Sequence, residues 1–403
     1  MLLCEGYRRG GGTIDDREKK PVNFRTLLLL GTGAAVAAGL YLAGPQMISI
    51  GAVDAAVVDA QPRSGPAGTP RSSYRITGVG DIMMGSDWPE PGLDPRVSPT
   101  ADPAELLGPE ISERFRTSDV VFGNYEGTIH TSSDNAKQCG NPALCYVFRS
   151  PPYHAAYLRR AGFTLLSNAN NHSRDFGEAN RAETYRHLTS AGFAVSGADT
   201  PSTRIGIQTL PDGTRFALVA FGHNPGLMQV SDYQKLSDMV RQASSQAEIV
   251  VVSCHIGAEG VRNDRVTRAT EMFVGENRGD PYRFAHTAVD SGADVVFCHG
   301  PHVPRAVEVY RGRFIAYSLG NFWTYGRFNL RDTAGLAPIA SLEVDRSGAL
   351  VSAQLLSARQ ERPGGPVWDP TNAAARQIAA LTARDFPESG TTLAPDGTIS
   401  WRR

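Results

Sequence analysis

Short apolar runs recur along the chain from residue 74 onward, and each is followed by polar residues and then by a segment with helical spacing. The runs lie at 74–79, 119–123, 163–167, 215–222, 248–254, 293–298 and 313–320. In several of them the apolar residues are consecutive rather than alternating, which is typical of strands covered on both faces. The segments between them predict helices at 103–117, 151–161, 178–191, 231–246 and 281–291. This alternation predicts a layered α/β fold with a mainly parallel sheet.

The two ends of the chain differ from this pattern. Residues 26–53 carry no charge, and basic residues precede them, so 26–48 is predicted to be a transmembrane anchor or a signal that follows a cytoplasmic basic segment, 1–25. Residues 49–73 are rich in Ala, Pro, Gly and Ser and predict a flexible linker. The folded domain is expected at 74–345, outside the cytoplasm, and 346–403 is expected to be a C-terminal extension with one strand and one helix.

Composition narrows the classes of function. The chain is 41% hydrophobic and 20% charged, as in a globular protein, and its formal net charge is −1. A nucleic-acid-binding protein needs a basic surplus, so nucleic acid is not an expected partner. Cys139 and Cys145 lie in one loop, where an oxidising compartment would allow a local disulfide.

Polar residues with metal-ligand chemistry follow the carboxyl ends of six predicted strands. In chain order they are Asp81, Asn124 and Glu126, Asn171 and His172, His255, His299 and His302, and Asn321. Ligands of open α/β sheets bind beyond these strand ends, so the residues are expected to meet in one pocket. Imidazole, carboxylate and amide groups together favour a divalent ion such as Mn, Zn or Fe, in a hydrolytic centre with one or two metals.

Each candidate also has a structural interpretation. Asp81 alone could cap a turn, His172 alone could be a hydrogen-bonded loop residue, and the histidines around Gly300-Pro301 could be exposed. Five other histidines lack this context and are expected to be structural: His130, His154, His187, His223 and His286. Cys254 and Cys298 each precede a candidate histidine and should point away from the pocket, since side chains alternate along a strand. We expect two buried apolar thiols there; a disulfide between adjacent strands and metal ligation are the alternatives.

An ordered set of motifs gives the chain a family resemblance. The motifs are GDIMMG (80–85), NYEG (124–127), NNHSRDFG (170–177), HIGAEG (255–260), GADVVFCHGPHV (292–303) and YSLGNF (317–322). Together they resemble the CapA proteins of poly-γ-glutamate capsule synthesis, which belong to the calcineurin-like metallophosphoesterase superfamily. The resemblance covers roughly 74–345 and implies a metallophosphatase-like α/β sandwich outside the membrane.

The resemblance also implies roles for individual residues. The implied metal ligands are Asp81, Glu126, Asn171, His255, His299 and His302. His172 would contact the substrate or protonate a leaving group, and Asp175 would orient it, so both are candidate catalytic residues. Asn124, Glu259 and Asn321 are candidate substrate-binding residues. Met83 and Asn124 stand where metallophosphoesterases usually carry a histidine and an aspartate, which removes two strong ligands.

Three functions are compatible with this sequence. The first is a membrane-tethered, metal-dependent hydrolase or transferase acting on an anionic envelope polymer such as poly-γ-glutamate. The second is a non-catalytic, polymer-binding subunit held beside a membrane synthase, which the missing ligands favour. The third is a phosphodiesterase for a small or lipid-linked substrate, which would use the same pocket.

Overall fold

The computed structural model describes residues 71–89, 92–94, 96–138, 146–326 and 328–402. The predicted basic segment, the membrane segment and nearly all of the linker lie outside these residues, as do Cys139 and Cys145. Within the described ranges, no helix has the length and apolarity needed to span a membrane.

The described chain forms twenty strands and six α-helices. The strands are β1 (Ser73–Met83), β2 (Val120–Tyr125), β3 (Thr128–Ile129), β4 (Arg149–Ser150), β5 (Leu165–Ser167), β6 (Ala194–Ser196), β7 (Ile205–Thr209), β8 (Arg215–Gly222), β9 (Ile249–His255), β10 (Met272–Phe273), β11 (Glu276–Asn277), β12 (Val295–His299), β13 (Val307–Tyr310), β14 (Arg313–Ala316), β15 (Asn321–Thr324), β16 (Leu336–Asp345), β17 (Leu350–Gln360), β18 (Pro366–Trp368), β19 (Thr392–Leu393) and β20 (Ile399–Ser400). The helices are α1 (Pro103–Thr117), α2 (Tyr153–Ala161), α3 (Gly177–Ser190), α4 (Tyr233–Ser244), α5 (Pro281–Asp290) and α6 (Ala373–Asp385).

Two large sheets carry the fold. The first has the order β18-β17-β16-β1-β2-β5-β6, with β15 also paired to β1. Its strands β1, β2, β5 and β6 run parallel, whereas β16, β17 and β18 pair antiparallel. The second sheet has the order β13-β14-β12-β9-β8-β7, parallel in its centre and antiparallel at both edges. The α/β class is therefore confirmed, with two mixed sheets rather than one mainly parallel sheet.

The two sheets pack face to face and helices cover their outer faces. The apolar core between the sheets joins residues such as Ile76 and Phe122 of the first sheet to Val251 and Phe297 of the second. A second core lies between the first sheet and helices α1, α2 and α3, and a third lies under α4 and α5. The sheets approach so closely at Gly78 that a Cβ there would lie 2.3 Å from the Phe297 ring, so only glycine fits.

Local sequence signals set the ends of several helices. Asp102, Asp232 and Asp280 precede α1, α4 and α5, and each carboxylate accepts a backbone N–H of the first turn. Such caps satisfy N–H groups that have no partner within the helix. The helix α1 begins and ends where the sequence predicts, at 103 and 117.

Three sequence expectations change in this fold. The apolar run 313–320 is divided, because β14 ends at Ala316 and the chain turns before β15. The residues after 345 continue the first sheet: β17 pairs along the whole length of β16. The expectation of two separate buried thiols is wrong, since Cys254 and Cys298 form a disulfide between directly paired positions of β9 and β12, with their Cα atoms 4.6 Å apart.

Candidate functional site

Strand register brings the candidate residues of each sheet to the same level. In the first sheet, Asp81 is paired with Asn124 of β2 and with Asn321 of β15. In the second sheet, His299 of β12 is paired with His255 of β9. Because parallel strands end at a common edge, each sheet presents its polar residues along one line, and the two lines face each other where the sheets pack.

Asp81 connects the polar residues at the strand ends of the two sheets. Its carboxylate is fully buried. Oδ1 accepts a hydrogen bond from Asn124 Nδ2 (2.8 Å) and lies 3.1 Å from His299 Nδ1, while Oδ2 lies 3.0 Å from His302 Nδ1. Burial by itself would raise the pKa of Asp81, but the contacts with His299 and His302 outweigh it and hold that pKa well below its usual range. Asp81 is therefore an ionised carboxylate inside the protein.

Glu126 is the second buried carboxylate of the site, and it lacks hydrogen-bond donors among the described residues. It is fully buried, and neither carboxylate oxygen has a hydrogen-bond partner within the described part of the chain. Its Oε1 lies 3.6 Å from His302 Nε2 and 4.0 Å from His172 Nε2. Burial raises the pKa of Glu126, the His302 charge opposes this, and the neighbouring Asp81 adds to it. The carboxylate thus needs a cationic partner to remain ionised.

His255 is the third member of this group. Both of its ring nitrogens are buried without hydrogen-bond partners among the residues described. Burial and the positive charges nearby lower its pKa well below the usual value, so the imidazole is neutral. One ligand atom from each of Glu126, His255 and His302 can be chosen so that all three lie within 4.8 Å of one another. A neutral imidazole and an unpartnered carboxylate are the groups that bind a divalent ion.

His302 is held in an unusual backbone conformation. Its φ is +56°, and the nearby Gly300 has φ +115°. The left-handed region is costly for a residue with a side chain, so such residues persist only where the surroundings impose them. The constraint here includes Asn321, whose Oδ1 lies 3.2 Å from His302 Nδ1 and whose Nδ2 donates to the His302 carbonyl oxygen at 3.3 Å.

His172 and Asp175 form a second histidine–carboxylate pair near Glu126. His172 Nδ1 lies 2.7 Å from Asp175 Oδ2, which also accepts the backbone N–H of Phe148 at 2.8 Å. Burial would lower the pKa of His172, but the adjacent Asp175 charge raises it above its usual value. With Nδ1 donating to Asp175, the Nε2 atom faces Glu126.

The remaining predicted residues surround this centre. Asn171 precedes His172, and its Oδ1 is a further buried oxygen without a hydrogen-bond partner in the described ranges. Its neighbour Asn170 donates to Asn124 Oδ1 at 3.1 Å. Glu259 accepts a hydrogen bond from Arg278 Nη1 at 2.9 Å, and its charge acts on both Glu126 and His302. Contacts or electrostatic interactions thus connect ten of the eleven candidate residues in one cluster, and Asn171 adjoins the cluster through its chain neighbour His172.

Sequence reasoning missed His223. Its ring stacks on that of His255 with centroids 5.9 Å apart, its Nδ1 lies 3.4 Å from the His255 carbonyl oxygen, and its Nε2 lies 3.6 Å from Glu276. The sequence contains a signal for it, because His223 directly follows the strand β8, just as the other candidates follow their strands. Among the other histidines expected to be structural, His130 contacts Thr128 and His286 contacts Glu308.

The model of the bacterial capsule synthesis protein PGA_cap family matches residues 75–325. The chain belongs to this family. The PGA biosynthesis protein CapA of Bacillus subtilis (strain 168) is 30% identical over 275 residues, which cover 64% of this chain and 65% of that protein. The capsule biosynthesis protein CapA of Bacillus anthracis is 26% identical over 265 residues, or 61% of this chain and 59% of the relative. The match thus spans less than two thirds of either relative.

Solved structures match this PGA_cap chain more distantly. A 5′-nucleotidase precursor from Thermus thermophilus aligns with a TM-score of 0.39 and 12% identity, over 77% of this chain and 59% of that one. The Haemophilus influenzae NAD nucleotidase aligns with a TM-score of 0.36 and 9% identity, over 77% and 56% respectively.

Proposed function

We propose that this PGA_cap protein is a membrane-tethered, extracytoplasmic, metal-dependent hydrolase or transferase that acts on an anionic envelope polymer of the poly-γ-glutamate type. The observation that carries the proposal is Glu126, a fully buried carboxylate with both oxygens unpartnered among the described residues and with His302 Nε2 3.6 Å away. Burying a carboxylate without hydrogen-bond donors costs roughly several kcal/mol, which the His302 charge offsets only in part, and this supports a bound cation at Glu126.

The donor set fits a divalent ion of the Mn, Zn or Fe kind. Glu126, His255 and His302 would hold it, with Asp81, His299 and Asn171 able to complete one or two sites. Imidazole nitrogen and carboxylate oxygen are the ligands that these ions share. Such an ion supplies Lewis-acid chemistry, polarising a substrate oxygen and activating water.

Two carboxylates of the protein orient the histidines of the proposed site. Asp81 orients the His299 and His302 imidazoles through contacts of 3.1 and 3.0 Å. Asp175 accepts the Nδ1 proton of His172, which directs Nε2 toward Glu126, and the protonated imidazole would then carry a second proton on Nε2 to give to a leaving group there. Hydrogen bonding of a histidine by a carboxylate is a usual way to set its orientation. Asn124, Asn321 and Glu259 are proposed to contact the substrate.

Separate features support the proposed location of the domain outside the cytoplasm, on a membrane anchor. The uncharged segment 26–48 follows basic residues, which supports a single membrane anchor with the domain outside. The Cys254–Cys298 disulfide supports the same side of the membrane, because disulfides persist in oxidising compartments. Both Bacillus relatives are named for capsule or PGA biosynthesis, which supports the choice of polymer. Membrane synthase subunits are proposed as further partners.

Metal content of the purified full-length chain tests the catalytic proposal. We expect the wild-type protein to retain Mn or Zn, measured by mass spectrometry, and to cleave γ-linked glutamate oligomers or a chromogenic phosphodiester. Glu126→Gln should lose both properties. Glu183→Gln, a matched change on the surface of α3, should lose neither. A wild-type chain that binds neither ion would contradict the proposal.

A second candidate function is a non-catalytic, polymer-binding subunit. It is favoured by Asn124, an amide at a position where a carboxylate would be a stronger ligand, which instead donates to Asp81 at 2.8 Å. In that case Asp81→Ala and His302→Ala should preserve polymer production in cells, whereas deletion of residues 26–48 should abolish it. Lost production in folded point variants would exclude this alternative.

A further inference from the structure

A cavity at the carboxyl end of α6 is lined by three arginines. It has a volume of about 480 Å³ and lies between residues 265–268 and the residues that end and follow α6. The arginines are Arg265, Arg268 and Arg384. Ligand sites usually have volumes in this range. A guanidinium lining favours an anion that offers carboxylate or phosphate oxygens.

Arg384 builds one wall of the cavity. Its Nε and Nη2 atoms donate to Asp385 at 2.7 and 3.0 Å, and its Nη1 atom donates to Asp264 at 3.1 Å. Asp385 is buried, and its Oδ2 also accepts the backbone N–H of Val266 at 3.0 Å. These bonds join residues 264–266 to the end of α6, and they leave a ligand to the other two arginines.

Arg265 retains donors for a ligand. Its side chain is 65% exposed, and its Nε atom lies 3.7 Å from Oδ1 of Asp385, which is too far for a hydrogen bond. That oxygen already accepts a hydrogen bond from Arg384, so the Asp385 charge offsets the Arg265 charge only in part. The guanidinium of Arg265 can therefore bind a carboxylate through two of its N–H groups.

Arg268 is held in place before any ligand binds. Its guanidinium lies over the rings of Tyr282 and Phe386, at 4.8 and 5.1 Å from their centroids. Its Nη2 atom donates to the carbonyl oxygen of Asp385 at 3.0 Å and to the carboxylate of Glu388. A cation that is already oriented loses little conformational entropy when a ligand binds.

Glu388 shows how this cavity holds a carboxylate. Its side chain follows α6, is 58% exposed, and pairs with Arg268 through Oε1. Exposed ion pairs of this kind are weak and are screened by salt, so another carboxylate can replace Glu388 on Arg268. Glu388 thus occupies the place of a ligand carboxylate.

The segment 259–268 joins the candidate metal centre to the cavity. Near its start, the backbone N–H of Gly260 donates at 2.9 Å to the carbonyl oxygen of Pro301, which lies between two histidines of the centre. Arg265 follows Glu259 by six residues, which span at most about 20 Å of extended chain. A polymer of several residues can therefore reach from the metal centre to the arginines.

We propose that Arg265 and Arg268 form a second binding site for the anionic polymer, in which free carboxylates of the polymer take the place of Glu388. The inference deepens the proposed function, because the ligand is the polymer proposed there and its reacting bond lies at the metal centre. Arg384 and Glu388 complete the cavity, and both lie beyond the residues that the family model matches, 75–325.

Binding of γ-linked dodecaglutamate to the full-length chain tests the inference through charge changes of opposite sign. Arg268→Gln removes the stacked cation and should weaken binding about threefold, whereas Glu388→Gln removes the competing carboxylate and should strengthen binding about threefold. Arg265→Gln, whose side chain makes no hydrogen bond in the described ranges, should weaken binding without disturbing the fold. Calorimetry at low salt measures these changes, because salt screens exposed charges.

Two controls match the charge changes at a distant place. Arg186→Gln and Glu183→Gln each break the Arg186–Glu183 pair, a surface ion pair on α3. They alter the net charge by the same amounts, and both should leave the Kd for dodecaglutamate unchanged. Effects of the control variants as large as those of Arg268→Gln and Glu388→Gln would overturn the inference, since net charge alone would then explain them.

Removal of metal separates this site from the metal centre. In chain treated with EDTA, the opposite effects of Arg268→Gln and Glu388→Gln should persist. Equal affinities of wild type and these two variants would overturn the inference and leave the metal centre unaffected. An equal gain in affinity of Glu388→Gln for inorganic phosphate would indicate a general anion site and would also overturn it. Opposite effects in a wild-type background that binds no metal would contradict the proposed function alone.

Discussion

Asp81 and His302 are 221 residues apart in the chain, and their Oδ2 and Nδ1 atoms lie 3.0 Å from each other. Asp81 belongs to the first sheet, and His302 follows the last residue of β12 in the second. The contact therefore closes the pocket across the two sheets. Because Asp81 also lies 3.1 Å from His299, one carboxylate orients two imidazoles.

Asp81→Asn should weaken metal binding without unfolding the chain. The amide keeps the shape of the carboxylate but loses the charge that orients both imidazoles. We expect the affinity for Mn or Zn to fall about ten- to a hundredfold, as when groups that orient metal ligands are removed. Calorimetric titration of the full-length chain measures this. Asp238→Asn on the exposed face of α4 is the control, and equal affinities in the two variants would refute the role of Asp81.

His223→Leu should also weaken metal binding, although His223 is not among the proposed ligands. The change removes the ring that stacks on His255 and the nitrogen that faces the His255 carbonyl. We expect an affinity loss of about tenfold, with the fold retained by circular dichroism. His187→Leu, on the partly exposed face of α3, should have the wild-type affinity. An unchanged affinity in His223→Leu would mean that the stacking is only structural.

His154 should make the protein sensitive to acid. It is fully buried in α2, both ring nitrogens lack partners among the described residues, and burial lowers its pKa to about 3. The folded protein holds His154 in its neutral form, whereas the unfolded chain protonates it below about pH 6.5. The free energy of unfolding is therefore highest above that pH and decreases as the pH falls toward 3. The loss can reach about 4 kcal/mol, at roughly 1.4 kcal/mol per pKa unit.

Urea unfolding of wild type and His154→Leu between pH 7 and pH 4 tests this. The variant should lose less unfolding free energy over that range, because it has no imidazole to protonate. His187→Leu should follow the wild-type curve. Parallel curves for wild type and His154→Leu would show that another group dominates the acid response.

Removing one partner of the Arg305–Glu271 ion pair should lower the free energy of unfolding much more than replacing both partners with apolar residues. Arg305 is fully buried, and its Nη1 and Nη2 lie 3.0 and 2.8 Å from the two carboxylate oxygens of Glu271. Arg305→Met leaves the buried Glu271 charge with the Ala258 N–H but without its ion partner, which costs about 3–5 kcal/mol. The double variant Arg305→Met, Glu271→Leu should recover most of that loss in urea unfolding. A double variant no more stable than the single one would contradict this account.

The sequence predicts the strand ends well and the pairing of the strands poorly. The residues 216–221 and 249–252 are apolar at every position, and they form the centres of β8 and β9. Local apolarity contains no information on which strands pair over long distances. The antiparallel pairing of β16 with β1 joins residues more than two hundred positions apart, and β17 enters the sheet only by pairing with β16. The sequence alone therefore predicts a separate extension at 346–403.

The candidate site was predictable where its chemistry follows a strand. Asp81, His255 and His302 stand out because polar groups end apolar runs, and such ends meet in this class of fold. Arg265 and Arg268 of the second binding site could not be found in this way, since an arginine in a loop has the composition of any exposed residue. Their relation to Asp385 and Glu388 exists only in three dimensions.

The Cys254–Cys298 bond links β9 and β12 one residue before His255 and His299. Thiol-rich cytosol keeps such cysteines reduced. Recombinant chain harvested from that compartment would therefore lack the covalent bridge directly beneath two imidazoles of the pocket. Preparations from cytosol and from an exported form are thus chemically distinct, and titration of free thiols becomes the first quality control for any study of ion uptake.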